Sequence, residues 1–491
     1  MVDMPEGTPV EKTLEVLKAI GDYLARERIV TDYQIYAGTS APYNFNGLIR
    51  HYYLRQDSNL GDIQVNLVGK HYRDEQSHDF AKRIRPKVAE IGKAYGAKYA
   101  AVVEVPPGPP VLSPVVAEVY APELKVQLNF ALAVLELFKR TPELSDIGIY
   151  LKSDAPLVKI IPKEDKLKLV GLTKEELVET IRALCQGLQV GILQTTDAEH
   201  VPIIIKLDEP YRTLDFLKNL KIPTGQGNLV PLSEIAELKV ETIPKSIYRK
   251  NMRRVNYVIA DVTGKYEAPV YGIFAVRERI KDLPNPYGKV SEYWLTHPIP
   301  INEVAVKWDG EMHITLEVFR DLGLAFVAAI FVMYVLILAW FKDFGIPGVI
   351  MAPIPLTLIG IIPGHLLLNS FFTATSMIGF IALAGIIVRN SIIVVDFAEN
   401  LVKSGVPLPL AVVKAAAVRT RPIMLTAVGV IVGAFVILFD PIFNGLAISL
   451  IFGTIGSTTL SLLLIPLLYY GHKLKKGYKQ PTKEEVARLL T

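Results

Sequence analysis

Three polar residues break an apolar stretch of this chain and are the first candidates for chemistry. Phe371 to Asn400 reads FFTATSMIGFIALAGIIVRNSIIVVDFAEN. It begins as an apolar run, Phe371 to Val388, long enough for a membrane helix. Arg389 and Asn390 interrupt it, apolar residues resume from Ile392 to Val395, and Asp396 follows. A cation inside a spanning helix costs roughly 3 kcal/mol on insertion scales unless it faces a partner or a water-filled cavity. Arg389 and Asp396 are seven residues apart, two helical turns, so a helix carries both on one face. Two readings follow. Arg389 is a functional charge turned into the protein, or its long side chain snorkels to the cytoplasmic headgroups.

The second candidate is an aromatic loop. Residues 41–53, APYNFNGLIRHYY, are rich in turn formers and rings: Tyr43, Asn44, Phe45, Asn46, Gly47, Tyr52 and Tyr53. Either the rings tuck onto a neighbouring sheet, or the loop lines an apolar ligand pocket with Tyr43, Phe45, Tyr52 and Tyr53. Soft metal ions favour thioether and thiolate ligands. No Met or Cys occurs between Pro5 and Leu184, so the expected cargo is organic and partly apolar. The single cysteine, Cys185, excludes an intramolecular disulfide framework and a multi-cysteine metal site. No Ser-His-Asp spacing or metal motif stands out, so an envelope enzyme has little support, and no cofactor or metal is expected.

These candidates sit in parts of contrasting composition, which the net charge of +4 hides. Met1 to about Glu317 carries charges throughout and reads as soluble α+β; Leu322 to Gly471 is nearly all apolar. In the soluble part, Thr8-Pro9-Val10-Glu11 reads as a capping box with proline at the first helical position. Val10, Leu14, Leu17 and Leu24 then mark one helix face, and Thr31 to Tyr36 alternates as a strand. A helix around Leu128 to Lys139 leads into a strand from Ser145 to Tyr150. These two helix-then-strand units suggest duplicated βαβ modules, helices on one face of a sheet. Ile63 to Val68 reads as a strand, His78 to Tyr95 as a helix, Ala100 to Val105 as a strand, and Pro106 to Pro110 as a stiff connector.

From Gly171 an inserted domain begins. Thr173 and Glu176 form a second capping box, with Leu177, Ile181, Leu184 and Leu188 at helical spacing. Val201 to Leu207 reads as a buried strand, and Gly225-Gln226-Gly227-Asn228 as a hairpin turn before Leu229 to Leu232. The block ends near Pro244, and strand text resumes at Val255 to Val262. Between them Lys245 to Arg254, KSIYRKNMRR, reads as a solvated basic face. Nucleic acid is not an expected partner, because the apolar half places the chain in a lipid bilayer.

Five spans of near 20 residues are expected: Leu322–Trp340, Gly345–Leu368, Phe371–Phe397, Pro422–Leu438 and Phe443–Tyr470. Lys342 follows the first. Lys403, Lys414, Arg419 and Arg421 lie between the third and fourth, and Lys473, Lys475 and Lys476 follow the fifth. The opposite connections lack Lys and Arg, so the basic ends face the cytoplasm and the soluble part lies outside. An odd number of spans with a cytoplasmic end, and no signal peptide at MVDMPEGTPVEK, leads to the expectation of a further helix upstream. Gly360 with Gly364, Gly429 with Gly433, and the stripe Gly445, Ser449, Gly453, Ser457, Ser461 are candidate helix contacts.

Three segments carry a family resemblance: GIIVRNSIIVVDFAEN, RTRPIMLTAVGVIVGAFVIL and GLAISLIFGTIGSTTLSLLLIPLLYY. They resemble the last three spans of resistance-nodulation-division (RND) efflux pumps, nearest the AcrB-type hydrophobe/amphiphile branch. KWDGE at Lys307 to Glu311, MPEGTP at Met4 to Pro9, and GLTKEEL with NLVPLSEIAEL resemble the first-span junction, the second extracytoplasmic loop and the docking domain. The resemblance covers nearly the whole chain and only the C-terminal half of such a pump.

It implies a fold of ferredoxin-like βαβ porter subdomains in an α+β extracytoplasmic part, with an inserted docking domain, followed by an all-α bundle of five transmembrane helices. The expected boundaries are 1–112 and 113–170 for the first porter subdomain and the first segment of the second. Docking takes 171–247, the second porter segment 248–317, the bundle 318–472 and the cytoplasmic tail 473–491. The family's relay lysine falls on Arg389, and the following span's arginine and threonine fall on Arg419 and Thr426. With Asn390 and Asp396 these make the expected proton-relay and ion-pair set. The family's drug-pocket switch loop falls on residues 41–53. The proton-binding acidic pair belongs to a span this sequence lacks. Arginine stays protonated in proteins, so Arg389 would be a fixed counter-ion that swaps carboxylate partners.

The implied function is the C-terminal half of a proton-motive-force-driven exporter of drugs or lipophiles in the bacterial inner membrane, with the large N-terminal domain in the periplasm. The implied partners are the N-terminal half, two further copies in a trimer, a periplasmic adaptor and an outer-membrane channel. The alternative is a membrane-anchored binding or assembly half that does not transport. Arg389 is expected to pack toward Thr426 and away from the bundle's outer surface.

Overall fold

Val30–Ala37, Leu60–Leu67, Val2–Asp3 and Tyr99–Ala100 lie side by side in that order as an antiparallel sheet in the computed structural model. The structure describes residues 1–104, 111–195, 200–211, 213–225, 227–263 and 267–478. The proposed connector at Pro106 to Pro110, Gln226 of the proposed turn and the tail beyond 478 lie outside the described residues. Helices Val10–Leu24 and Ser77–Ala94 serve the sheet. Thr13, Val16, Leu17, Ile20 and Leu24 recur at helical spacing and are buried. The chain order is therefore strand, helix, strand, strand, helix, strand. Residues 1–41, 55–101 and 151–248 make up one compact unit; residues 42–54, 102–150 and 249–491 make up another.

Within the first unit, the segment 151–248 is built of two-stranded pieces. Pro156–Pro162 pairs with Ala236–Thr242, Lys221–Pro223 with Leu229–Pro231, and Leu188–Leu193 with Val201–Ile205. The Thr173 box closes in both directions: the hydroxyl accepts from the Glu176 amide at 3.2 Å and the Glu176 carboxylate accepts from the Thr173 amide at 2.8 Å. The Thr8 box does not form. Pro9 is the N-cap residue, and the Thr8 hydroxyl donates to Pro5 O at 2.6 Å. Val201–Ile205, expected to be buried, is exposed along its whole length. Its strand partner among the described residues, Leu188–Leu193, is exposed too, so the hairpin presents apolar side chains with no sheet layer of described residues over them.

In the second unit the sheet order is Ser291–Tyr293, Ala305–Gly310, Val115–Tyr120, Asn256–Val262, Leu144–Ile149. Val115, Ala117 and Val119 point to one face and meet Phe130, Val134 and Phe138 of the helix Leu124–Lys139 and Ile273 and Val276 of Pro269–Lys281. Alternation sends Glu118 and Tyr120 to the other face.

Ala305–Gly310 runs directly into the first of five helices that, among the described residues, are long and apolar enough to cross a membrane: Glu311–Phe341, Gly345–Leu367, Ala374–Lys403, Leu408–Ile437 and Asn444–Lys475. The second is broken into Gly345–Met351, Pro353–Leu356 and Leu358–Leu367 around Pro353 and Pro355, which lack the N–H that an unbroken helix needs. The fourth begins at Leu408, well before the expected Pro422. Lys414, Arg419 and Arg421 therefore lie on helix rather than in a connection. Hydropathy marks where a helix is apolar, not where its backbone bonding begins.

The third and fifth spans bury about half of their most apolar stretches against other described residues, the first and fourth far less. The small-residue stripe on the fifth span makes that contact. A methyl group at Gly453 would lie 2.2 Å from Leu383, and one at Gly445 2.4 Å from the Ser376 hydroxyl. Gly360 and Gly364 are equally tight against Phe452, whereas Gly429 and Gly433 face open space. The Gly429/Gly433 pair thus makes no helix contact among the described residues.

Candidate functional site

The third span starts at a reciprocal cap in which Thr373 and Ser376 satisfy each other's amides. Its buried face carries Leu383, Ala384, Ile387, Val388, Asn390, Ser391, Val394, Val395 and Ala398. Arg389 is two residues from both Ile387 and Ser391, roughly 200° around the helix from each. It therefore falls on the opposite, exposed face, in one line with Ala382, Gly385 and Ile393. Half-buried Asp396 and exposed Asn400 continue the same line.

Arg389 makes no hydrogen bond or ion pair among the described residues. The Asp396 carboxylate accepts from Asn400 Nδ2 at 3.2 Å and from the Trp340 indole N–H at 3.5 Å. The Thr426 hydroxyl donates to Ile423 O of its own helix at 2.9 Å, and Thr426 is exposed. The expectation that Arg389 packs toward Thr426 and away from the bundle surface is therefore not met within this chain. The apolar residues that flank Arg389 at helical spacing claim the interior. Arg419 does reach the third span: its guanidinium lies 4.8 Å from the Phe397 ring centroid, and its Nε is buried without a partner among the described residues. Asn390 is buried.

The sequence reading missed Trp340 and Phe397, which touch the polar residues, and Glu399. Glu399 accepts from Lys473 at 2.7 Å and from the Tyr469 hydroxyl, tying the third span to the fifth. Its signal was its place one turn beyond Asp396, opposite the basic end of the last span.

In the aromatic loop, Phe45–Ile49 forms a short helix and Tyr52–Leu54 a single 3-10 turn. The Tyr43 and Tyr53 rings meet at 5.7 Å, and Arg50 ties the loop to Val111 O at 2.8 Å and to the Tyr52 hydroxyl at 3.2 Å. Tyr52 and Tyr53 are half-buried, whereas Tyr43 and Phe45 are exposed.

A further charge cluster lies in the five-stranded sheet. Lys307 stands directly across the ladder from Glu118, and both are fully buried at 0% exposure. Lys307 Nζ lies 3.8 Å from Glu118 and 3.7 Å from Asp309, with no hydrogen-bond partner among the described residues. Lys250 forms short ion pairs with Glu118 and Asp309, and the Tyr120 hydroxyl donates to Glu118 at 2.8 Å. Burial, reinforced by the neighbouring Asp309, raises the Glu118 carboxyl to about 7. Burial pushes Asp309 the same way, but its bonds to Glu118 and Lys250 and the two lysine charges prevail and hold it below the usual range. Among the described residues no group of three or more His, Cys, Asp or Glu is placed to hold a metal ion.

The fold and this site define a protein with a mixed α/β part and, among the described residues, five helices long and apolar enough to cross a membrane, the third carrying Arg389 and Asp396. Residues 1–472 match the AcrB/AcrD/AcrF family, and the chain belongs to that family. It is 26% identical over 358 residues to the swarming motility protein SwrC of Bacillus subtilis, covering 71% of this chain and 32% of that one. It is 25% identical over 390 residues to the cobalt-zinc-cadmium resistance protein CzcA of Cupriavidus metallidurans, covering 77% and 35%. To the nickel and cobalt resistance protein CnrA of the same organism it is 25% identical over 376 residues, covering 73% and 33%. A crystal structure of a heavy metal efflux pump shares the fold, with TM-score 0.73 and 20% identity over 96% of this chain and 46% of that one. The chain thus spans about a third of the length of the curated relatives and under half of the solved pump. These relatives do not support the hydrophobe/amphiphile branch, since heavy-metal names prevail among them.

Proposed function

We propose that this chain is the C-terminal half of a proton-motive-force-driven RND exporter, set in the bacterial inner membrane with its α/β part in the periplasm. The observation that carries this is the exposed line Arg389–Ile393–Asp396 on the third span, where the Arg389 cation has no carboxylate among the described residues. A permanently charged guanidinium at membrane depth needs a counter-charge. A second helix bundle bringing titratable acids against this face would provide one. Protonation of those acids would release Arg389, and deprotonation would recapture it. Arg419, Asn390 and Thr426 complete the polar set around the exchange. Against a non-transporting anchor stands the cost of keeping such a charge without use.

The same proposal takes the four-stranded strand-helix-strand-strand-helix-strand sheet and the five-stranded sheet, which follows the same order with one strand added, as ferredoxin-like porter subdomains. It divides the chain at 112/113, 170/171, 247/248 and 317/318, with 171–247 as a docking domain. Trimer, adaptor and outer-membrane channel belong to it as partners. Lys342, Lys403 and the group Lys473, Lys475, Lys476 support the cytoplasmic placement of one set of helix ends.

For cargo, exposed Tyr43 and Phe45 favour an organic, partly apolar compound. A second reading, divalent metal ions, is favoured by the names of CzcA and CnrA. Tyr43→Ala with Phe45→Ala in cells carrying the whole pump separates the two. Impaired export of lipophilic dyes with unchanged cobalt, nickel and zinc tolerance supports the organic cargo. Lost metal tolerance with unchanged dye export selects the metals.

A further inference from the structure

The basic run Lys245 to Arg254 is more than a solvated face. Arg249–Lys250 and Arg253–Arg254 pair as a tight antiparallel hairpin, Arg249 opposite Arg254 and Lys250 opposite Arg253. Its two turn residues, Asn251 and Met252, both take left-handed backbone conformations, φ 49° and 65°. That geometry suits a two-residue hairpin turn and is unfavourable for methionine. Something must hold it, and three attachments do. Lys250 is clamped between Glu118 and Asp309. Arg253 donates to Pro298 O and stacks over the Tyr120 ring at 5.4 Å. Arg254 donates to Pro122 O at 2.6 Å.

These ties leave a charge imbalance. Lys250 and Lys307 face the carboxyl groups of Glu118 and Asp309. Arg249, Arg253 and Arg254 have no carboxylate within ion-pair distance among the described residues. All three line one cavity of about 190 Å³, together with Pro122, Met252 and Ile301. A guanidinium has five N–H donors in a planar fork. The carbonyl bonds at Arg253 and Arg254 use few of these and neutralise no charge. Beside the arginines, Met252 is 88% and Ile301 73% exposed, and Ile299 is exposed as well. The cavity is below the size of drug-sized pockets, roughly 300 Å³ and upward.

We propose that this cleft is a binding site for a small amphiphilic anion, its phosphate or carboxylate head held by Arg249, Arg253 and Arg254 and its short apolar tail laid on Met252 and Ile301. Planar guanidinium forks suit both head groups. No lining residue belongs to the aromatic loop or the membrane helices, so the site stands apart from the proposed transport reading.

The test is calorimetric titration of hexyl phosphate into the full chain held in neutral-lipid nanodiscs, with inorganic phosphate and hexanol as controls. Hexyl phosphate should bind at least tenfold more tightly than either control. Arg249→Gln should weaken it tenfold or more, with an unchanged thermal unfolding profile, because Arg249 makes none of the hairpin's attachments. Arg249→Lys should restore part of the loss. Nanodiscs containing phosphatidylglycerol identify the source: weaker apparent hexyl phosphate binding marks a lipid head group as occupant, and unchanged binding marks a free solute. Either supports the site. Equal binding by folded Arg249→Gln overturns the proposal. So does inorganic phosphate binding as tightly as hexyl phosphate, or hexanol doing so.

Discussion

Arg389 and Asp396 share one face of the third span, yet the Asp396 carboxylate is engaged by Asn400 at 3.2 Å and Trp340 at 3.5 Å, not by Arg389. Seven residues of helix separate them by roughly 10 Å along the axis, beyond direct pairing. An acid that could serve Arg389 must therefore come from another element. The proposed charge exchange with a second bundle rests on this relationship.

The buried cluster around Glu118 gives a pH dependence of definite sign. The folded-state value near 7 lies above the ordinary 4.5, so the folded protein holds this proton more tightly than the unfolded chain. The associated stability is complete below about pH 4.5 and is lost as pH rises through about 7, up to roughly 3 kcal/mol. Asp309, held low, acts in the opposite sense and only in stronger acid. Hydrogen exchange of Val115–Tyr120 and Ala305–Gly310, corrected for intrinsic rates, should show protection falling between pH 5 and pH 8. In Glu118→Gln the fall should largely vanish. Equal falls in both proteins would exclude Glu118 as the source.

The two sequence-level capping boxes make a matched pair. Thr173→Ala removes a formed cap and should cost the helix Lys174–Cys185 about 1 kcal/mol, seen as faster exchange in its first turn. Thr8→Ala should leave the first turn of Val10–Leu24 unaltered, because Pro9 occupies the cap position. Comparable effects at both helices would contradict the assigned caps.

Glycine substitutions should separate contact from coincidence. Gly453→Ala places a methyl group against Leu383 and Ile361 and should cost about 1–3 kcal/mol by overpacking. Gly429→Ala meets nothing within 4 Å and should leave the melting temperature of the detergent-solubilised chain unchanged or slightly raised. A destabilised Gly429→Ala would mean that the fourth span is packed differently.

Much of this architecture was legible where local pattern and tertiary role agree. The alternation and helical spacing of the first 150 residues place most of the helices and strands, and the Thr173 box marks a real helix start. The failures are physical. A continuous apolar run such as Val201 to Leu207 reads alike whether it lies inside a sheet or stands in an exposed hairpin. Lys414, Arg419 and Arg421 look like a loop to a hydropathy scale, though the helix Leu408–Ile437 runs straight through them. The spacing of Arg389 and Asp396 establishes that they share a face but not which face, which depends on partners elsewhere. Glu118 and Lys307 meet only because distant strands are neighbours in the sheet.

The most direct test of the central claim is transport by this chain alone. Residues 1–491 are reconstituted in proteoliposomes, a proton gradient is imposed, and movement of a lipophilic fluorescent dye is followed for the native chain and for Arg389→Gln. If the counter-acids of Arg389 belong to another half, neither protein moves dye above protein-free vesicles, and Arg389-dependent movement emerges only when an RND half carrying the acidic pair is co-reconstituted. Gradient-driven dye movement by the native chain alone, abolished by Arg389→Gln, would contradict the account.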